Sequence, residues 1–129
     1  MNLIPANQTI FIPGNVPSSK NSKQWTGKFL VSSKTVQKYE KGTKLFWIDY
    51  KKKFLKMIQG KEKPYKIGFY FIRDTKRKFD LINAAQMPCD LMVKNGWIDD
   101  DNANEIVPVF LGFETDKDTA GIIISVLNN

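Results

Sequence analysis

Apolar and polar positions repeat along this chain with two different periods, and the switches between them mark out its elements. Residues 9–12, TIFI, are β-branched and aromatic and run into Pro13-Gly14, which predicts a short strand. Residues 15–29, NVPSSKNSKQWTGKF, are polar and rich in Pro, Ser and Gly, and read as a loop. FLV at 29–31 offers a second short strand. Ser32 and Ser33 are candidate N-caps for the helix that follows. Val36, Tyr39, Phe46, Trp47, Tyr50, Phe54, Met57 and Ile58 recur there at helical spacing. Lys51, Lys52, Lys53 and Lys56 fall between them, so the helix has a basic outer face. Gly42 weakens its first turns and Gly60 ends it.

Residues 65–74, YKIGFYFIRD, are apolar on both faces, as an interior strand requires. Residues 81–95 carry helix formers and end at Asn95-Gly96, a helix stop. Pro88 lies inside that helix, where it removes a backbone donor and crowds the preceding turn, so a kink or restart is expected. EIVPVFLGF and AGIIISVLN read as two last strands, joined by the polar ETDKDT into a hairpin. The order predicts an α+β fold: one mixed sheet of about four strands packed with two main helices. No internal repeat or low-complexity tract interrupts it.

Composition narrows the chemistry. At 129 residues and 42% hydrophobic content the chain is expected to form one domain, 1–129, with a real core. No apolar run approaches 18 residues and no charged-then-apolar leader is present, which predicts a soluble, unexported, cytoplasmic protein with no membrane partner. Cys89 is the only cysteine, so no intramolecular disulfide forms. Histidine is absent. That removes histidine general bases, Ser-His and Cys-His pairs and histidine zinc sites, and leaves carboxylates, lysines or a bound metal.

Charge is divided unevenly. Residues 1–78 hold 18 Lys+Arg against 4 Asp+Glu, while residues 79–129 hold 2 against 9. A basic face beside an acidic cluster suits a polyanion that is gripped and then attacked through a metal. A lysine-rich, solvated surface would give the same totals. Lys20, Lys23 and Lys28 in the first loop, and Lys76, Arg77 and Lys78 just before Asp80, are the candidate phosphate contacts. Lys51–Lys53 read as the wet face of the first helix, and Cys89 as a small buried apolar residue.

The acidic stretch carries the most specific signal. Asp80-Leu81-Ile82-Asn83, Asp90 within the following helix, and Gly96-Trp97-Ile98-Asp99-Asp100-Asp101 resemble the core of the RusA family of Holliday-junction resolvases. The family pattern is Asp-x-Asp-Asn, a Lys three residues on, an Asp midway along the helix, then Gly-x-x-x-Asp-Asp. Asp80, Asn83, Asp90, Gly96, Asp100 and Asp101 match it without a gap. VPSSKNS, upstream, resembles the family's Pro-Ser-x-Asn entry loop. The specific match covers about 24 residues.

The resemblance implies a homodimeric, magnesium-dependent endodeoxyribonuclease that cuts four-way DNA junctions, with manganese as a possible replacement. Carried over by position, it makes Asp80, Asp100 and Asp101 catalytic. It makes Asp80 and Asp101 metal ligands, and Asn83 a candidate to complete the set. A bacterial or phage source goes with it. Two positions depart from the pattern: Ile82 stands where the family has a second Asp, and Gln86 where it has Lys. Isoleucine offers magnesium no oxygen. Asp99, Asn83 and Gln86 are the candidates to fill the gap. Asp90, ten helical residues and roughly 15 Å from Asp80, is expected to be structural, paired with a basic group.

Each signal has a plainer reading beside it. Asp80 alone is an N-cap, Asp99–Asp101 a solvated turn, and Asn83 a cap partner or an inert side chain. Trp97 reads as core or interface. The alternative function is a catalytically impaired protein of the same fold that binds branched DNA.

Overall fold

The computed structural model describes residues 4–18, 23–25 and 30–127. Its centre is a four-stranded mixed sheet in the order β1-β6-β4-β5. The strands are β1 (Thr9–Pro13), β4 (Tyr65–Arg73), β5 (Ile106–Thr115) and β6 (Gly121–Val126). A separate antiparallel ribbon joins β2 (Lys23–Trp25) to β3 (Leu30–Ser32). The helices are α1 (Lys34–Asp49), α2 (Lys51–Met57) and α3 (Leu81–Lys94). The fold is α+β, as the order of elements predicts.

β4 is interior, which explains why both its faces are apolar. It pairs antiparallel with β6 and parallel with β5. The parallel pairing needs a long crossover, and α3 supplies it. The expected hairpin between the last two strands does not form. β4 lies between β5 and β6, so each of them pairs with β4 rather than with the other. Sequence adjacency and a polar turn fit a hairpin equally well, and only the demand of β4 for two neighbours separates the cases. The first loop also holds more order than its composition suggests, since β2 lies within it.

One sheet face builds the core. Ile10 and Ile12, Ile67, Phe69 and Phe71, and Ile122, Ile124 and Val126 are buried together with Trp47, Phe54, Met57, Ala84, Met87, Leu91 and Met92 from the helices. Ser33 caps α1 by accepting from the Val36 N–H at 3.3 Å. Val36, Tyr39, Thr43 and Trp47 form its buried stripe, and Phe54 and Met57 continue that stripe in α2. The single helix expected over this span is divided at Tyr50, which keeps helical dihedrals. Gly60, at φ 79°, follows its end. The lysines at 51, 52 and 56 face solvent, as the pattern predicts, and Lys53 is partly covered.

α3 passes through Pro88 without a restart. The lost donor leaves the Ala84 carbonyl without its helical partner, while the Pro88 ring itself is buried. The helix ends in a Schellman turn: the Trp97 N–H reaches the Met92 carbonyl at 2.8 Å and the Gly96 N–H the Val93 carbonyl at 3.1 Å. Gly96 adopts φ 76°, the left-handed conformation this turn needs. Trp97 is thereby turned inward, with its ring 5.2 Å from Trp47 and 5.0 Å from Phe54. No helix among the described residues is long and apolar enough to cross a membrane.

Candidate functional site

The candidates fall at the two ends of α3: Lys76–Lys78, Asp80 and Asn83 at its start, and Asp99–Asp101 beyond its end. β4 places Ile67, Phe69, Phe71 and Arg73 on the core face by alternation. The last of these is charged and still buried. The Arg73 guanidinium donates to the Val16 carbonyl and, at 3.4 Å, to Ser18 Oγ. It also lies 4.6 Å from the centre of the Phe79 ring. Burial lowers its pKa, with the charge of Asp74 pulling the other way. The Asp74 N–H donates to Asn15 Oδ1 at 3.0 Å. These contacts fasten the start of the VPSSKNS loop to the strand end that leads into Asp80. By sequence alone Arg73 only closes a strand. The signal was present, since a lone arginine continues an inward-facing run of Ile and Phe.

Asp80 is the N-cap of α3, and its Oδ1 accepts from the Asn83 N–H at 3.1 Å. The cap occupies one carboxylate oxygen and leaves the other. Asn83 Nδ2 is buried without a hydrogen-bond partner. Ile82 is 74% exposed, so the position where the family carries a second carboxylate faces solvent. Gln86 donates to Asp90 Oδ1 at 3.2 Å, one helical turn on. Asp90 thus accepts from a neutral amide on its own helix.

The three consecutive aspartates have separate tasks. Asp99 meets Lys63 Nζ at 3.3 Å, and Lys63 meets Glu105 at 2.6 Å. Asp100 folds its own loop: Oδ1 accepts from the Asp101 N–H at 2.8 Å and Oδ2 from the Asn102 amide at 3.1 Å. The Asp101 N–H and then the Asn102 amide hold the Asp100 carboxyl below its ordinary pKa. The solvated-turn reading therefore describes Asp100 well. Asp101 is exposed, and its charge acts on Cys89 in the second half of α3. Burial, then Asp101 and Asp90, push that thiol up to about 12. Cys89 is buried, as expected of a small apolar residue.

Among the described residues no three Asp, Glu or Cys side chains gather as a metal-ligand group. Magnesium is commonly held by one or two carboxylates together with substrate phosphates. Asp80 and Asp101 have the donor chemistry for that arrangement, and Asn83 lies beside Asp80. Lys76, Arg77 and Lys78 are all exposed in the link before Phe79. Lys20 and Lys28 lie outside the described residues, and of Lys23 only the backbone, in β2, is described. No protein-family model matches the chain, and no curated protein matches it. The RusA resemblance rests on the motif residues themselves.

Proposed function

We propose that this chain acts on branched DNA as a RusA-type endodeoxyribonuclease, resolving four-way junctions with magnesium or manganese in recombination or repair. The observation that most supports the reading is the junction made by Arg73. It joins the first loop, where the basic residues begin, to Phe79 and hence to Asp80. An exposed basic run, 76–78, leads directly into that point. Cations there would hold backbone phosphates and set the register of the DNA. Asp80 and Asp101 would hold the metal together with the scissile phosphate. A divalent ion so held supplies charge neutralisation on the phosphoryl oxygens and a more acidic water. A homodimer in the cytoplasm of a bacterial or phage-infected cell fits a two-fold substrate that needs two cuts.

A second reading, a protein that holds branched DNA without cutting it, is favoured by the exposed Ile82 and by Gln86 being bonded to Asp90. The deciding experiment is incubation of end-labelled four-way junction with wild type and Ile82→Asp, in Mg²⁺ and in Mn²⁺. Paired symmetric nicks by wild type support the nuclease. Cleavage by Ile82→Asp alone supports the binding protein. Junction left unbound and uncut by both overturns both readings.

A further inference from the structure

Phe110 and Phe113 are 45% and 56% exposed, on the same sheet face as the core. Residues three apart on a regular strand point to opposite faces. A bulge in β5 makes these two neighbours: Phe69 pairs with Phe110 and Tyr70 with Gly112, so Leu111 is the extra residue. Gly112 takes φ 128° there. Leu111 turns to the opposite face and fills the space beside Gly68, where an added Cβ would meet it at 2.5 Å. The Phe110 and Phe113 rings then lie 6.4 Å apart, inclined by only 29°.

Both rings have a firm backing. Phe71, fully buried, stacks under Phe110 at 6.4 Å, and Phe79 meets Phe113 edge-on at 5.2 Å. The Arg73 guanidinium lies over the Phe79 ring, 4.6 Å from its centre. Phe79, one member of this aromatic row, directly follows Lys76-Arg77-Lys78 and directly precedes Asp80. None of those three cations has an ion pair among the described residues.

We propose that Phe110 and Phe113 are a stacking platform for unpaired DNA bases, with Lys76, Arg77 and Lys78 holding the adjoining phosphates. The proposal rests on the branched-DNA reading above and names the part of the substrate this face takes: bases freed at the branch point. Positive charge beside exposed rings complements a strand that carries phosphates along one edge and π-faces along the other. A second copy of the chain adding to the edge of β5 fits less well. Pro108 offers no N–H there, and the bulge breaks the ladder, two features that discourage strand addition.

The test measures binding of the full-length protein to a fluorescent oligothymidine, a duplex and a four-way junction, for wild type, Phe113→Ala, Phe110→Ala and Phe113→Trp. Unchanged circular dichroism confirms folding. Each alanine variant is expected to weaken oligothymidine and junction binding about tenfold and duplex binding little. Phe113→Trp should restore binding, and its added fluorescence should be quenched by the bound bases. Junction binding that survives both alanine changes overturns this inference and leaves the function standing. Absence of binding to any of the three DNAs removes both. A shift from dimer to monomer in sedimentation on Phe113→Ala, without a selective loss of oligothymidine binding, overturns it in favour of a second copy.

Discussion

The Trp97 indole N–H donates to the main-chain carbonyl of Trp47 at 2.8 Å, tying the end of α3 to the last turn of α1. Carbonyls in the last turn of a helix lack intrahelical partners, and a buried one needs another donor. The division of the first helix at Tyr50 is thus matched by a side chain from fifty residues away. Trp97→Phe keeps most of the ring and removes only the donor. It should lower unfolding free energy by about 1–3 kcal/mol, read from the urea midpoint. Trp97→Ala should cost more, about 3–5 kcal/mol, because the contacts with Trp47 and Phe54 go as well.

Arg73 gives a second test, directed at the loop it holds. Its planar fork reaches both the Val16 carbonyl and Ser18 Oγ, which a single ammonium cannot reproduce in the same geometry. Arg73→Lys should keep the charge and loosen residues 14–18. Amide exchange in that stretch should accelerate at least tenfold while the core amides of β6 change little. Junction affinity should fall in the same variant. Equal exchange rates in the loop would show that Arg73 does not restrain it.

Much of this architecture is legible in the sequence because the decisive positions obey a period. The stripe from Val36 to Met57, the doubly apolar β4 and the Asn95-Gly96 stop each follow from spacing and backbone chemistry. Other features depend on which elements meet, and no local pattern contains that. β5 and β6 look like a hairpin until β4 enters between them. Pro88 looks like a break, but its ring is buried and α3 runs on. At the site, Asp80 reads as a cap or a ligand, and the cap is seen while one oxygen stays available. Asp100 reads as a ligand by family position, yet both its oxygens are engaged by its own loop. The role of Arg73 required knowing that a loop nearly sixty residues earlier returns to the end of β4.

Cys89 predicts an alkaline limit to stability. Its thiol, ordinarily near 9, is pushed up to about 12 by burial, with Asp101 and Asp90 adding to the shift. Between those values the folded thiol keeps its proton while the unfolded chain loses it. The folded state therefore binds more protons, and stability falls as pH rises through that interval. Its contribution is complete below pH 9. Cys89→Ala should flatten the decline of melting temperature measured between pH 9 and 11, even if it lowers the neutral-pH value through lost packing. An unchanged slope would assign the decline to other groups.

Asp80 combines two tasks that substitution can separate. Asparagine caps a helix about as well as aspartate, whereas alanine does not, at a cost of typically 1 kcal/mol. Asp80→Asn should leave thermal stability nearly unchanged, and Asp80→Ala should lower it by about that amount. Both remove the anionic oxygen, so both should abolish any rise in melting temperature on adding Mn²⁺ and any junction cleavage. Ile82→Asp tests the same point from the other side. Residue 82 is largely exposed and in the first turn of α3, so a carboxylate there loses little packing. It also gains from the helix dipole, by about 0.3–1 kcal/mol. The variant should fold at least as stably as wild type and show a larger Mn²⁺-induced rise in melting temperature. If Asp80→Asn keeps the full metal response, Asp80 is a cap and nothing more, and the proposed metal site loses its first ligand.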